Sequence, residues 1–486
     1  MVSIKNKLTE VLKHGVVYGL TASLQSILGF ALLPILTSFY TTEEFGVYSI
    51  LLVMGAFASS IFYLGASSAL GRFYYEENTE KYKKIIVSSA FQITLAGALL
   101  LIILATIFAP YISILVFKSK IYSLQVQLTF YGVAFTFLLN LLTLILRYDN
   151  KSTLFMIITI IGVVLNFIVT YTLLTRYSLG ITAPLTGSLV SSFISFILLL
   201  FYIEGYLTFK VEKKYLIILL EFGIPALFTG LLYYVLDLVD RFIIKDLLGF
   251  AEVGVYSLGY KIASVINVLV IVPFCLIWAP FRMQNSKNEE QTKTLMIKVT
   301  SYMFIIGFLI ILAAILYSRI LMSIFFKKLE FLEATTIIPI LIMGILFFGL
   351  QNILDYGINL HKKLQYYIIT SLCGVTFNII ANYTFIPIFG YKAAAYVTMF
   401  TYVLTTALIF IFSSKFFKVH LEWARIIVPF VFLVFLMSIF EFFPSIFDNF
   451  FLTITIFLST MCGIYRFWLK NDERRYLKSF LHLKAG

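Results

Sequence analysis

Fourteen stretches of the sequence are apolar for about 20 residues each, the length that a helix needs to cross the hydrocarbon core of a bilayer. Soluble domains carry about 25% charged residues, whereas this chain of 486 residues is 13% charged and 61% hydrophobic. The sequence therefore predicts an all-α polytopic membrane protein with about 14 transmembrane helices. The predicted spans are residues 15–39, 46–69, 85–108, 126–146, 154–175, 180–203, 215–239, 254–278, 299–318, 337–358, 365–388, 391–412, 425–443 and 449–468.

Lys and Arg are distributed unevenly between the loops on the two sides of the membrane. With a cytoplasmic N-terminus, the loops on that side carry roughly three times as many Lys and Arg residues as the opposite loops, as the positive-inside rule requires. We therefore predict that both termini are cytoplasmic. Because the basic residues sit in short loops between spans, the net charge of +13 reflects membrane topology and argues against nucleic-acid binding.

The first and second halves of the chain share a repeated pattern. The segment Glu44–Ser49 returns as Glu252–Ser257, which lies 208 residues later. Each copy holds six predicted spans, so both copies enter the membrane in the same direction. Parallel repeats of this kind are typical of transporters whose two halves rock around a central cavity. Further matches in the same order are Asn166 with Asn378 and Gly180 with Gly390.

The repeat predicts how the chain is divided. Residues 1–210 form a first lobe of six helices, and residues 211–415 form a second, pseudo-symmetric lobe. Residues 416–486 supply two additional helices and a basic cytoplasmic tail.

Four charged residues interrupt the apolar runs of the seventh and eighth spans, where an unpartnered charge costs at least about 2.5 kcal/mol. Lys261 lies about 10 Å into its span, so it either reaches back to the headgroups or faces a cavity as a substrate-binding cation. Asp240 and Arg241 fit either a local ion pair or roles in ion coupling and substrate binding. Asp237 is a candidate for taking up H⁺ or Na⁺ to drive transport.

Three arginines lie at the predicted inner ends of spans. Arg72 and Arg282 end the second and eighth spans at corresponding places in the two copies. They either anchor the helices or face the cytoplasmic mouth of a cavity, where Arg would bind phosphate through two parallel hydrogen bonds. Arg147, in the fourth span, has the same two interpretations.

Other polar residues within spans have two possible roles. Asp355, late in the tenth span, is either a link between helices or an ion-coupling candidate. Gln25 and Asn267 are further candidates for the cavity. Asn140 and Asn166 are interpreted as residues that hold helices together.

The sequence contains no recognisable catalytic motif. It has no Gly-rich phosphate loop, no His pair four residues apart and no Gly-x-Ser-x-Gly. No predicted loop is long enough to form a catalytic domain. We therefore predict a protein that is not an enzyme and has no cofactor apart from a coupling ion, either Na⁺ or H⁺.

Several short motifs recur along the chain in a characteristic order and spacing: Phe45–Tyr48, Arg72–Tyr74, Phe222–Pro225, Asp240–Phe242, Val253–Ser257 and Trp278–Pro280. In that order and spacing, they resemble the motifs of the polysaccharide-transport flippases of the Wzx type. That family belongs to a superfamily that also contains multidrug exporters of the MATE type and lipid II flippases.

The resemblance implies two six-helix lobes that form a V, plus two extra helices. It implies a substrate of undecaprenyl-diphosphate-linked oligosaccharide repeat units, destined for O-antigen, capsule or exopolysaccharide. The substrate would move from the inner to the outer leaflet of a bacterial inner membrane by alternating access. An ion gradient or the membrane potential would drive the movement, and a polysaccharide polymerase and glycosyltransferases are the expected partners.

Two alternatives remain open at this point. A MATE-like cation/drug antiporter would favour an acidic, aromatic-lined pocket, whereas the interior charges here are of both signs. A membrane-embedded polysaccharide polymerase or ligase is disfavoured by the short outer loops and by the two-fold repeat.

Overall fold

The computed structural model describes residues 2–77, 79–207, 212–275, 278, 282, 289–443, 449–471 and 473–475. Every regular element within these residues is a helix. Twelve of the helices are long and apolar enough to cross a membrane, and two shorter apolar helices, Leu24–Phe39 and Phe450–Arg466, complete the set. In chain order they match the fourteen predicted spans, so the prediction of an all-α polytopic protein is confirmed.

The outer surface of the helices is apolar, as contact with lipid requires. On α4 (Glu80–Phe117), Leu99, Ile103 and Ile107 follow one another at four-residue spacing, and each is more than half exposed. Four-residue spacing keeps side chains on one face of a helix. This face therefore meets the hydrocarbon chains rather than the protein core.

The first lobe contains seven helices. Within it, α5 packs against both α4 and α7, and α6 packs against α7 and α1. The helix α5 buries Ala134, Phe137, Leu141 and Ile145, which lie on one face at spacings of three and four residues. The helices are α1 (Val2–Phe39), α2 (Thr42–Phe62), α3 (Ala66–Phe73), α4, α5 (Ser123–Tyr148), α6 (Ser152–Thr175) and α7 (Thr182–Ile203), followed by a 3₁₀ turn at Glu204–Tyr206.

The second lobe repeats this arrangement, with α11 and α13 packed against α14. Its helices are α8 (Lys213–Leu247), α9 (Phe250–Ile266) with a π-helical continuation at Asn267–Ile271, α10 (Glu289–Phe325), a 3₁₀ segment at Leu329–Thr336, α11 (Ile338–Leu354), α12 (Tyr356–Leu360), α13 (Gln365–Phe389) and α14 (Tyr391–Ser414).

Two additional helices follow the second lobe, as the sequence predicts. They are α15 (Trp423–Phe442) and α16 (Phe450–Gly463), and both pack against α10. Arg425 at the start of α15 donates to both carboxylate oxygens of Glu473 in the tail, at 3.1 and 3.0 Å. Burial raises the pKa of Glu473, but the hydrogen bonds from Arg425 and the Lys470 amide outweigh it and hold that pKa below its usual value.

The two lobes cross at equivalent positions of α2 and α9. Gly46 and Gly254, which are 208 residues apart, face each other where the helices touch. A Cβ atom on Gly46 would lie 1.8 Å from the Phe250 carbonyl oxygen, and one on Gly254 would lie 2.0 Å from that of Thr42. Only glycine permits so close an approach of two backbones. This crossing lies at the end of the lobes that the sequence predicts to be extracytoplasmic.

The lobes also meet at the opposite end of α2. A Cβ atom on Gly65 would lie 2.0 Å from the Gly223 carbonyl oxygen. Nearby, the ring of Phe73 packs edge-on against Phe222, with centroids 5.8 Å apart. The space between the lobes is therefore bounded at both ends.

The second span is not the continuous helix that the sequence predicts over residues 46–69. After α2 the chain turns at Leu64 and Gly65, which have φ angles of 52° and 64°. The residue 208 positions after Gly65 is Pro273, and the π-helical turn Asn267–Ile271 precedes it. Both copies therefore depart from α-helical geometry at the corresponding place.

Candidate functional site

A cavity of about 430 Å³ lies within the first lobe, between α1, α5, α6 and α7. The helix α9 closes one side of it and contributes Lys261 from the second lobe. The volume falls within the range of about 300–1,000 Å³ that is usual for small-molecule sites. Both lobes thus contribute to one cavity.

The charges around this cavity are all positive. Lys261 and Arg147 line it, and the described lining residues include no Asp or Glu. The ammonium group of Lys261 lies 5.6 Å from the centre of the Tyr48 ring, and the guanidinium of Arg147 lies 4.6 Å from that of Phe155. Two cations in a low-dielectric cavity without a carboxylate create a site that attracts anions.

Uncharged polar groups cover much of the remaining wall. Gln25, Asn140 and Asn166 contribute amides from α1, α5 and α6. A second cavity of about 310 Å³ adjoins the first, and Tyr48, Thr136 and Asn166 line both. The two cavities therefore share part of their wall. The Ser and Thr residues that line the first cavity are Thr136, Thr143, Thr159, Ser188, Ser191, Ser192 and Ser195.

A smaller cavity of about 240 Å³ lies in the second lobe and contains Asp237. The hydroxyl of Tyr260 donates a hydrogen bond to the Asp237 carboxylate, and that of Tyr402 donates a second at 3.3 Å. Asn267 lines the same cavity. The structure therefore places an acid and an amide from the predicted set side by side.

Asp240 and Arg241 form a buried ion pair, with 3.1 Å between the guanidinium and the carboxylate. Their exposed fractions are 1% and 5%. The hydroxyl groups of Tyr256 and Thr398 also donate to Asp240, and Arg241 donates to the Asp237 carbonyl at 2.6 Å. The local ion pair foreseen from the sequence is present, but α8 continues to Leu247, so the pair does not close a helix end.

Arg282 and Asp355, which the sequence treats as separate candidates, bind each other at 2.5 Å. Arg282 also donates to the Asn352 carbonyl at 2.8 Å. Asp355 accepts further hydrogen bonds from Asn359 and Tyr367, each at 2.7 Å. This network links α11, α12 and α13 to the segment after α9.

Arg72 lies on the surface at the end of α3, with its guanidinium 5.7 Å from the ring of Phe73. It does not line the 430 Å³ cavity. The structure thus brings Gln25, Arg147 and Lys261 together at one cavity and Asp237 and Asn267 at another. It places Arg72, Asp240, Arg241, Arg282 and Asp355 outside both. Their roles in binding or coupling stay predictions.

Comparison with known proteins decides the family. The family described as "Polysaccharide biosynthesis protein" matches residues 35–328. The chain belongs to this family. A Shigella flexneri protein, provisionally named an O-antigen transporter, is 27% identical over an alignment 334 residues long, which covers 64% of this chain and 75% of that protein. The family expected from the sequence motifs is confirmed.

Solved structures show which fold this polysaccharide biosynthesis protein has. The lipid II flippase MurJ in its inward closed conformation superposes with a TM-score of 0.76 at 18% identity, over 94% of this chain and 100% of that one. An inward-facing multidrug MATE transporter superposes with a TM-score of 0.66 at 15% identity, over 82% and 97%. The expected fold of two lobes with additional helices is confirmed.

Several residues at these sites were not singled out from the sequence of this polysaccharide biosynthesis protein. Tyr260 and Tyr402 bind Asp237, and they lie in apolar runs where a tyrosine attracts no attention. The serines of α7 did carry a signal. Ser188, Ser191, Ser192 and Ser195 follow the spacing of one helix face within a predicted span.

Proposed function

We propose that this polysaccharide biosynthesis protein is a flippase for undecaprenyl-diphosphate-linked oligosaccharide repeat units. It would move them from the cytoplasmic to the outer leaflet of the bacterial inner membrane. The observation that carries the proposal is the cavity lined by Lys261 and Arg147 and by no acidic residue within the described chain. A diphosphate is anionic, and an anion leaves water only where cations replace its hydration.

The position of Lys261 suggests how binding would be coupled to movement. Lys261 belongs to α9 of the second lobe, whereas Arg147 belongs to α5 of the first. A lipid-linked headgroup that extends through the cavity from Arg147 to Lys261 would connect the two lobes. The polyprenyl chain would remain in the lipid, so that only the headgroup crosses the membrane through the protein.

Alternating access would require each end of the interface to open in turn. At one end, Lys328 donates to the Tyr40 carbonyl at 2.6 Å, and Thr42 donates to Glu330 at 3.4 Å. At the other end, Phe73 packs against Phe222. Rocking of the lobes would break one set of contacts while keeping the other.

Asp237 is the acid that we propose for ion coupling, with H⁺ or Na⁺ as the ion. It lines a cavity, whereas Asp240 and Asp355 are held by Arg241 and Arg282. Moving one charge through the membrane potential supplies about 2.3 kcal/mol per 100 mV. A carboxylate that gains and loses a cation in each cycle would make that energy available.

The cavity that contains Asp237 also favours a second candidate function, that of a MATE-like cation/drug antiporter. Tyr234, Tyr260 and Tyr402 surround Asp237 there, as a cationic drug would require. However, the volume of about 240 Å³ is below the range of about 300–1,000 Å³ for small-molecule sites. The size therefore favours a small ion over a drug.

We propose that the partners are the enzymes on either side of transport. Glycosyltransferases would assemble the lipid-linked repeat unit on the cytoplasmic face. A polymerase would consume it on the outer face.

The test of the flippase is translocation of a lipid-linked oligosaccharide in proteoliposomes. We expect Lys261→Ala to slow translocation about tenfold or more, because it removes a charged hydrogen bond worth about 1.5–3 kcal/mol. Lys261→Arg should retain most activity. Lys392→Ala is the matched control, since Lys392 pairs with Glu441 on the surface.

Two results would contradict the proposal. If the Lys261→Ala variant translocated the lipid at the wild-type rate, this lysine would not take part in substrate binding. Failure of the wild type to move the lipid, together with efflux of a cationic dye, would favour the antiporter.

A further inference from the structure

We propose that Asn140, Asn166 and Ser195 in the first-lobe cavity form a binding site for the sugar residues joined to the diphosphate. The inference rests on the proposed flippase function and extends it. The sugars would be neutral or acidic. The argument comes from a comparison of the two copies of the repeat.

In the second lobe, the polar residues of α14 are paired with partners inside the lobe. Thr398 donates to Asp240 at 3.3 Å, and Tyr402 donates to Asp237 at 3.3 Å. The other two pairs are Asn378 with Thr401 at 3.2 Å and Gln351 with Thr405 at 2.9 Å. These contacts pair the polar groups of α14 with polar groups of neighbouring helices, beside the 240 Å³ cavity that Asp237 and Tyr402 line.

The corresponding positions of α7 lie 210 residues earlier, the offset that relates Gly180 to Gly390. They are Ser188, Ser191, Ser192 and Ser195, and all four line the 430 Å³ cavity. The first lobe therefore has a hydroxyl group at each of the four positions that carry paired polar residues in the second lobe.

The first lobe lacks the two acids that would complete such a network. The residues 208 positions before Asp237 and Asp240 are Gly29 and Leu32, and both line the cavity. A glycine and a leucine cannot accept hydrogen bonds through their side chains. The positions that hold carboxylates in the second lobe therefore border open space in the first.

The asparagine side chains also differ between the lobes, because they are bonded within the second lobe and face open space in the first. Asn166 and Asn378 are equivalent at an offset of 212 residues, and the same offset relates Asn140 to Asn352. Asn378 is fully buried and bonded to Thr401 and Asn382. Asn166 accepts a long hydrogen bond of 3.3 Å from Thr170 and presents its amide to both first-lobe cavities.

Asn140 and Ser195 have unused hydrogen-bonding capacity. Within the described residues, the Asn140 side chain has no protein partner, and it lines the cavity. The Ser195 hydroxyl is fully buried, lines the same cavity and is also without a partner among those residues. Asn140 is exposed, so its amide is open to a ligand. For the buried Ser195 hydroxyl, the missing partner costs about 1–3 kcal/mol, and a hydrogen bond from a ligand would remove that cost.

Helix packing does not account for the amide of Asn140. A residue that links helices is bonded to its neighbours, as Asn378 is to Thr401. Asn140 makes no such bond and faces the cavity. The sequence interpretation of Asn140 as a link between helices therefore gives way to a binding role.

Carbohydrate is the ligand class that matches this lining. Each sugar hydroxyl both donates and accepts, and an amide offers both functions in one side chain. The lining contains cations and no described acid, so a sugar with a free ammonium group is excluded by like charge. Asn140 lies seven residues from Arg147 on α5, about 10 Å along the helix. If the diphosphate binds at Arg147, sugars attached to it would therefore reach Asn140.

The test compares two lipids on the full-length protein in lipid nanodiscs. One is bare undecaprenyl diphosphate, and the other is the same lipid carrying the host's repeat unit. We expect Asn140→Leu to weaken binding of the glycosylated lipid about tenfold and Ser195→Ala about threefold. Binding of the bare lipid should not change in either variant, which also shows that they are folded.

Asn352→Leu is the matched control, because it makes the same substitution at the equivalent position of the second lobe. We expect it to leave the affinity for both lipids unchanged. Equal losses for both lipids in Asn140→Leu and Ser195→Ala would overturn the sugar site and return these residues to a structural role. Unchanged affinity for both lipids would also overturn it, with the flippase intact. A wild type that binds neither lipid would instead refute the proposed function itself.

Discussion

Two carboxylates on α8, less than one turn apart, have different surroundings and therefore different expected roles. Asp240 is buried in an ion pair with Arg241 and accepts further hydrogen bonds from the hydroxyls of Tyr256 and Thr398 and from the Arg241 amide. Asp237 lines a cavity and is bonded by the hydroxyls of Tyr260 and Tyr402. The first arrangement holds a structure together, and the second leaves room for an ion.

Substituting each acid by Asn should separate these roles. Asp240→Asn leaves the buried Arg241 charge without the carboxylate that it pairs with, and we expect a loss of stability of about 3–5 kcal/mol. Asp237→Asn retains an acceptor for the tyrosines, so stability should change little, while the response of transport to an imposed H⁺ or Na⁺ gradient should disappear. Thermal unfolding followed by size-exclusion chromatography and gradient-driven uptake measure the two effects.

Each of the two substitutions has an outcome that would contradict the role assigned to its residue. If Asp240→Asn unfolded at the wild-type temperature, the ion pair would not be structural. If Asp237→Asn still responded to the gradient, the coupling site would lie elsewhere in the chain.

Some site residues could be identified from the sequence and others could not. Lys261 and Gln25 can be identified because a polar side chain within an apolar span is costly unless it faces a cavity or a partner. Arg282 and Asp355 are 73 residues apart, so their pairing depends on how the segment after α9 packs against the end of α11. The same holds for Ser195, since no local pattern shows whether a hydroxyl has a partner across the lobe.

At the scale of elements, the apolar runs predict the helices but not their interruptions. The break after α2 lies at Leu64, a residue without intrinsic preference for its left-handed conformation. Its carbonyl lies against Gly223 of the other lobe. The conformation is therefore set by a contact between lobes. The π-helical turn at Asn267–Ile271 is likewise invisible in the run of apolar residues around it.

The crossing of α2 and α9 yields a prediction for Gly46. We expect Gly46→Ala to force the helices apart, because the new Cβ would lie 1.8 Å from the Phe250 carbonyl oxygen. A strained contact of this kind typically costs about 1–3 kcal/mol or more. The midpoint of thermal unfolding should fall, and translocation should slow because this end of the interface no longer closes.

Gly230→Ala in α8 is the matched control for this crossing. Nothing lies within 4 Å of a Cβ atom at Gly230, and Ala is favoured over Gly in a helix by about 1 kcal/mol. The control should be as stable as the wild type or more so. A Gly46→Ala protein with wild-type stability and activity would show that the lobes have more freedom at this crossing than the structure indicates.

At the scale of the whole molecule, two copies of one scaffold have acquired different interiors. The second lobe encloses paired acids, tyrosines and threonines, whereas the first keeps hydroxyls and amides around an open cavity. One residue of the second lobe, Lys261, reaches the cavity of the first. Asp237 of α8 lies beside α9, the helix that carries Lys261, because the hydroxyl of Tyr260 in α9 donates to its carboxylate.

Movement of the lobes as units can be tested by linking them at either end. The free cysteines Cys275, Cys373 and Cys462 would first be replaced by Ala. Cysteines would then be introduced as the pair Thr42→Cys with Glu330→Cys or the pair Phe73→Cys with Phe222→Cys. The first pair joins groups 3.4 Å apart at one end, and the second joins rings with centroids 5.8 Å apart at the other. A short thiol-specific crosslinker that reductant can cleave would connect each pair.

We expect each crosslink to stop translocation and reductant to restore it, because rocking must open both ends once in every cycle. The single-cysteine variants treated with the same reagent are the controls and should remain active. Headgroup translocation in proteoliposomes is the measurement for both pairs. If the protein crosslinked at Thr42 and Glu330 still moved substrate, the lobes would not separate at that end. The substrate would then have to leave through the side of one lobe, and the first-lobe cavity with its adjoining 310 Å³ extension would be the route to examine.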